Sequence, residues 1–221
     1  MTMTTLATDA PLDFDVFAVA PDATPTGSVT TWLRKFEQRL RDGTDAQVPC
    51  GTCNACCSCG YEVEVFADDD PSLEAVPSSK DGARVLVRNA DGSCRYLIDG
   101  KCSVYDRRPR ACREFDCRVF VLTGLVPRLL GESGAMRRWD PVGATKTTDD
   151  KVASIALRMA TFEAYRGFGT VEVACAAGVA SYRNYLPMAR ELYAHLRSRP
   201  EELGRIADAM RDQWKLQQGD A

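Results

Sequence analysis

With 221 residues, 45% of them hydrophobic, the chain can bury the core of one domain, or of one domain and a helical extension. Its 28 basic and 31 acidic side chains leave a formal charge of -3, without the basic surplus that marks a nucleic-acid-binding surface. No stretch is apolar over the length of a membrane span, and Met1 to Leu12 lack the positive start and apolar run of a secretory signal. A cytoplasmic protein with no membrane and no nucleic-acid partner is therefore expected.

Residues 1–27 mix Thr, Ala, Asp and Pro around one apolar patch, Phe14, Val16, Phe17 and Val19, and read as an extended, poorly ordered arm. Ser28 can cap a helix that runs to Asp42. Its apolar residues Val29, Trp32, Leu33, Phe36 and Leu40 fall at helical spacing, and Gly43 is placed to end it. That helix is expected to pack beneath the loop that follows, with Trp32 and Phe36 as core residues.

The loop opens as Cys50-Gly-Thr-Cys53-Asn-Ala-Cys56-Cys57-Ser-Cys59, and Cys94, Cys102, Cys112 and Cys117 follow, so nine of the ten cysteines lie in under a third of the chain. Each C-x2-C pair can aim two sulfurs at one point, and thiolates are the soft ligands of zinc and of iron-sulfur clusters. One such centre uses about four thiolates. Adjacent side chains diverge, so Cys56 and Cys57 are not expected to ligate one mononuclear ion. Two sites, or one polynuclear site, are implied. A reducing compartment would keep these thiols available to metal rather than paired as disulfides.

Between the cysteines, Tyr61 to Phe66 alternates polar and apolar as a half-buried strand does, and Asp68, Asp69 and Asp70 before Pro71 look like a helix start. Residues 83–89 suggest a second strand, with turns at Asp91-Gly92 and Asp99-Gly100 producing a short hairpin. Cys94 and Cys102 would then stand at either end of a short strand. A short helical piece from Asp106 to Arg118 carries Arg107, Arg108, Arg110, Arg113 and Arg118 around Cys112 and Cys117. A tetrathiolate centre has a formal charge of about -2, which guanidinium groups could offset while donating hydrogen bonds to sulfur. Arg108 and Arg113 are the two favoured for that task.

The run Gly100-Lys-Cys102-Ser-Val-Tyr105-Asp-Arg-Arg108-Pro109-Arg-Ala-Cys112-Arg113-Glu-Phe115, with the C-x2-C-x2-C-C opening, resembles the YkgJ-like bacterial cysteine-cluster family, described as chelating zinc or iron. The likeness covers roughly residues 47 to 120 and extends to Tyr105, Arg108, Pro109, Arg113 and Phe115. It implies metal binding through Cys50, Cys53, Cys56, Cys57, Cys94, Cys102 and Cys112, with Cys117 a frequent further member. Cys59 lies beyond the family pattern and stands as a substitute ligand. A similar cysteine block occurs in flagellin lysine methylases, which keeps metal-dependent group transfer in view.

Val119 to Leu125 is apolar enough for a buried strand or helix turn, and the glycine-rich stretch 127–148 reads as a long loop. Beyond it, Val152, Ile155, Ala156, Met159 and Phe162 mark one amphipathic helix. Ala189, Leu192, Tyr193 and Leu196 mark a second, and Leu203, Ile206, Ala207, Met210 and Trp214 a third, with Pro187 and Pro200 as first-turn residues. Cys175, alone among small residues, reads as a buried structural thiol, and the single histidine, His195, as a surface or edge residue rather than a ligand.

No P-loop, dinucleotide fingerprint, G-x-S-x-G elbow or radical-SAM spacing is present, and the ferredoxin pattern C-x2-C-x2-C-x3-C-P is not matched, since Gly60 follows Cys59. The expected fold is α+β: an arm at 1–27, a cysteine-rich metal-binding domain with a short β-hairpin at 28–125, a loop at 126–149 and a helical extension at 150–217. The expected function is iron binding, as an iron-sulfur cluster, or zinc binding. A structural-zinc module that offers its C-terminal helices to a protein partner is one alternative, and the group-transfer enzyme is the other.

Overall fold

The computed structural model describes residues 23–46, 48, 53–78, 82–125, 138–140 and 142–199. The fold is α+β, and the described residues fall into two compact units. One takes in 23–34, 118–125 and 138–199; the other runs from 35 to 117.

The first unit is mostly helical. Ser28 accepts the Thr31 N–H at its hydroxyl and the Trp32 N–H at its carbonyl, and so starts α1 (Val29–Asp42), which Gly43 ends at a φ of 61°. Its buried residues Val29, Trp32 and Leu33 belong to this unit, whereas its last two turns belong to the other. Trp32 is buried as expected, Phe36 is half-buried, and Leu40, at helical spacing with them, is 66% exposed. Residues 24 and 25 are not part of a loose arm: β1 (Thr24–Pro25) pairs in parallel with β6 (Trp139–Asp140), whose Trp139 is fully buried.

Residues 119–123 resolve as helix, α4 (Arg118–Thr123), with Phe120, Val121 and Leu122 buried. The longest helix, α5 (Thr148–Phe168), begins with a capping box between Thr147 and Asp150 and stops at Gly169, whose φ is 73°. Val152, Ala153, Ala156, Leu157 and Ala160 form its buried stripe, while Phe162, expected there, is half exposed. After it come α6 (Val171–Ser181) and α7 (Leu186–Arg197), the latter with Pro187 in its first turn. A side chain on Gly178 of α6 would put its Cβ 2.7 Å from the Thr161 Cα, so α5 and α6 meet almost backbone to backbone. The helix expected over Leu203 to Trp214, and the apolar patch from Phe14 to Val19, lie outside the described residues.

The second unit is built from very short strands: β2 (Ala75–Pro77) against β3 (Arg84–Leu86), and β4 (Leu97–Ile98) against β5 (Lys101–Cys102), both antiparallel. Asp99 and Gly100 close the β4–β5 hairpin with φ of 50° and 72°, the left-handed pair that a two-residue turn of this kind requires. The strand expected over 61–66 is reduced to one bridge, Glu64 to Val85, although Val63 and Val65 still exchange backbone hydrogen bonds with Leu86 and Arg84. No helix starts at Asp68–Asp70. Asp70 instead caps a turn at Ser72, and the buried Asp69 accepts the N–H groups of Phe66 and Arg110. The core is thin, with Val65, Leu73, Leu86, Cys94 and Val104 at its centre and Cys57 and Cys102 packed against it.

Candidate metal centre

All of the described cysteines except Cys175 lie in the second unit, and none of the nine is in a disulfide. Cys53 leads into a single helical turn, α2 (Ala55–Ser58). It forms because the Asn54 carbonyl accepts from both Cys57 and Ser58 while Cys59 closes back onto Ala55. Cys56 and Cys57 are neighbours on that turn, so their side chains leave it about 100° apart. Cys53, Cys56 and Cys59, three residues apart, follow one side of the loop. The chain then escapes through Gly60, whose φ of 77° suits glycine.

The later cysteines are brought in by separate anchors. The Cys94 N–H donates to the Cys57 carbonyl at 2.6 Å, tying the 94 region to α2. Cys102 faces Leu97 across the β4–β5 hairpin, and the hairpin's turn at Gly100 lies next to the Asn54 side chain. Cys112 rides on α3 (Arg110–Glu114), whose first N–H is held at 2.7 Å by the distant Asp69 carboxylate. Cys117 follows Asp116, a buried carboxylate paired with Arg39 of α1 at 3.7 Å.

The thiols sort into two sets. Cys56 is hydrogen-bonded to the Cys117 thiol, and that bond, burial and the charges of Cys117, Cys59 and Cys53 all drive its pKa far upward. Cys112 is pushed up to about 12, first by burial and then by Cys57, Cys94 and Cys102, with Arg108 pulling the other way. The groups acting on Cys56 and on Cys112 do not overlap. One set is thus Cys53, Cys56, Cys59 and Cys117; the other is Cys57, Cys94, Cys102 and Cys112. Cys50 lies outside the described residues, and Cys59, held in reserve on sequence grounds, stands with Cys56.

Thiols crowded in this way resist ionising together, because each thiolate raises the cost of the next, and a bound cation relieves that cost. Four soft donors per set match the ligand count of a tetrahedral zinc ion or a cubane cluster. Among the described residues no three Cys, His, Asp or Glu side chains are already closed around a metal-sized point. The sets are defined by which thiols act on which.

The arginines divide by task. Arg108 acts on Cys112 directly, while its Nε donates to the Tyr105 carbonyl and its guanidinium lies 3.8 Å from the Tyr105 ring centre. Arg113 faces carboxylates instead, Asp45 and Asp69, and bonds to the Arg108 carbonyl, so it braces the backbone that carries Cys112. Arg118 belongs to the helical unit. His195 sits exposed on α7, also in the helical unit, and Cys175, on α6, is buried with its thiol 3.3 Å from the hydroxyl of Thr123 on α4. Sequence reasoning assigned nothing to Arg88, whose Nη1 donates to the Cys57 carbonyl at 3.2 Å. Its signal was a cation ending the apolar run Val85-Leu-Val87 six residues before Cys94.

This arrangement defines a thiol-rich domain of the metal-chelating class. Residues 49–129 match the CxxCxxCC family model, whose description is "Putative zinc- or iron-chelating domain", which agrees with the YkgJ-like resemblance over that segment. No curated protein and no solved structure matches the chain. No helix among the described residues is long and apolar enough to cross a membrane.

Proposed function

We propose that the protein is a cytoplasmic metal-binding protein with two four-thiolate centres, one on Cys53, Cys56, Cys59 and Cys117 and one on Cys57, Cys94, Cys102 and Cys112. What supports this reading is the company the thiols keep: Cys57, Cys94 and Cys102 lie in or against one small core and act on Cys112, while Cys117, Cys59 and Cys53 act on Cys56. The centres hold iron, as an iron-sulfur cluster, or zinc; cysteine suits both. Cys50 is a further candidate ligand from the sequence motif. When bound, the metal supplies a positive point charge that cross-links α2 to α3, the β4–β5 hairpin and the Cys117 segment. The chain's own residues fix where those thiols stand.

A specific observation also favours a structural role for the metal. Strands of two or three residues and a core cluster centred on Val65, Leu73, Leu86, Cys94 and Val104 among the described residues are little for a unit of this size, and thiolate-bound zinc normally contributes folding free energy directly. In that reading the helical unit is the part that recognises a partner.

Metal analysis and a visible spectrum on protein purified without oxygen test both readings. Iron with acid-labile sulfide and a brown colour makes the site an iron-sulfur centre, and colourless protein with about two zinc ions makes it structural. Cys56→Ser and Cys102→Ser are each expected to remove the metal of one set and leave the other. Complete loss from either single variant would show one polynuclear site, and unchanged loading in both would defeat the assignment.

A further inference from the structure

Among the described residues of the cysteine unit, Arg88 has a buried guanidinium two of whose three nitrogens find no acceptor. Its backbone pairs with Cys94 in an antiparallel bridge, and its Nη1 donates to the Cys57 carbonyl at 3.2 Å. Arg88 is thus stitched to the main chain of two of the four residues in the Cys57 set. Its Nε and Nη2 are both buried without a hydrogen-bond partner. Among the described residues it has no carboxylate to pair with, unlike Arg107, Arg110 and Arg113, which all face Asp68, Asp69 or Asp70.

A buried cation with idle N–H groups is costly unless something anionic stands nearby. Here the main chain that Arg88 bonds and pairs with is that of two cysteines, Cys57 and Cys94, and a tetrathiolate centre is both anionic and rich in sulfur acceptors. We propose that Arg88 is the charge-compensating and positioning residue of the Cys57/Cys94/Cys102/Cys112 centre, turning Nε and Nη2 toward metal-bound sulfur. The inference rests on the two-centre reading and gives one centre a property the other lacks. Among the described residues Arg88 makes no hydrogen bond to Cys53, Cys56, Cys59 or Cys117, so the two centres are expected to differ in affinity and, if they hold iron-sulfur clusters, in potential. Hydrogen bonds to cluster sulfur raise a reduction potential.

The test titrates the full-length protein with the metal it is found to carry, against a competing chelator, for wild type, Arg88→Lys, Arg88→Gln and the control Arg95→Gln. Arg95 is exposed and pairs with Glu74 at 2.7 Å. Removing the charge in Arg88→Gln is expected to weaken one of the two binding steps about 10- to 100-fold and leave the other unchanged. Arg88→Lys, which keeps the charge, is expected to fall less, and Arg95→Gln to match wild type. Equal weakening of both steps, or of Arg88→Lys and Arg88→Gln alike, would make Arg88 merely structural and overturn the proposal, as would unchanged binding. Wild-type protein that binds no metal would instead overturn the two-centre reading. Should Arg88→Gln fail to fold, cobalt spectra of Arg88→Lys decide: a shifted sulfur-to-metal band for one centre supports the proposal, and an unshifted spectrum overturns it.

Discussion

The two units reach stability by different routes. In the helical unit, α5, α6 and α7 bury small and aliphatic side chains against one another, with Ala156, Leu157, Ala160, Ala174 and Ala189 essentially inaccessible. Among the described residues of the cysteine unit no strand exceeds three residues, and three of the eight thiols in the two sets, Cys57, Cys94 and Cys102, sit in or against its small core.

Metal removal is the strongest way to break this comparison. A chelator is expected to collapse hydrogen-exchange protection across residues 53–117 while 150–197 keep theirs, since only the first segment carries the two thiol sets. Protection retained at both, in protein shown to be metal-free, would mean that the thin core suffices. Protection lost at both would mean that the helical unit depends on the metal as well.

The same difference decides what the sequence could announce. The divergence of Cys56 and Cys57 is readable because adjacent residues on any regular element point apart, and the structure does place them with different partners. The company of Cys117 is not readable, because it depends on a buried Arg39–Asp116 pair joining segments far apart in sequence. Asp68 to Asp70 resemble a helix start locally, but the Asp69 carboxylate caps α3 some forty residues away. In the helical unit, α5 and α7 announce themselves by period. Helix α6 does not, because Val-Ala-Cys-Ala-Ala-Gly-Val is apolar or small on every side and buries by close approach rather than by a stripe.

That close approach is the next place to test. Gly178→Ala would place a Cβ against the Thr161 side chain and 2.7 Å from its Cα, where backbone rather than a flexible tip must give way. A loss of about 1–3 kcal/mol is expected from denaturant unfolding followed by helical circular dichroism. Metal content should not change. A stability unchanged within error would show that α5 and α6 can part at no cost.

A smaller loss is expected at the start of α5. Asp150 is buried, and burial alone would raise its carboxyl, but hydrogen bonds from Ser28, Thr30 and Thr147 prevail and hold it below the usual carboxylate range. These join α1 to α5 within the helical unit, with the Ser28 and Thr30 hydroxyls each 2.6 Å from Oδ1. A folded pKa below the unfolded one means that this stability is present above the unfolded value near 3.8 and is lost as pH falls through the folded one. Asp150→Ala is expected to cost about 1–2 kcal/mol at neutral pH, with the deficit shrinking in acid. A deficit that stays constant down to the lowest pH at which the protein folds would show that the charge is not what matters.

Cys175 gives the opposite pH signature and the least effect at neutrality. Burial raises its thiol from 9.0 to about 12, the Thr123 hydrogen bond pulling down and the Glu172 carboxylate adding to the rise. Between those values the unfolded chain has released the proton and the folded chain still holds it. The folded state then binds more protons, and stability falls with rising pH by at most about 1.4 kcal/mol per pH unit. The stabilising contribution is complete below 9.0 and is lost on the way to about 12. Cys175→Ala is expected to lack this alkaline slope while binding metal as wild type does, because Cys175 belongs to the helical unit and both thiol sets to the other. Equal slopes in the two proteins would show that the alkaline loss arises from other groups, and reduced metal content in the variant would place Cys175 in the metal chemistry after all.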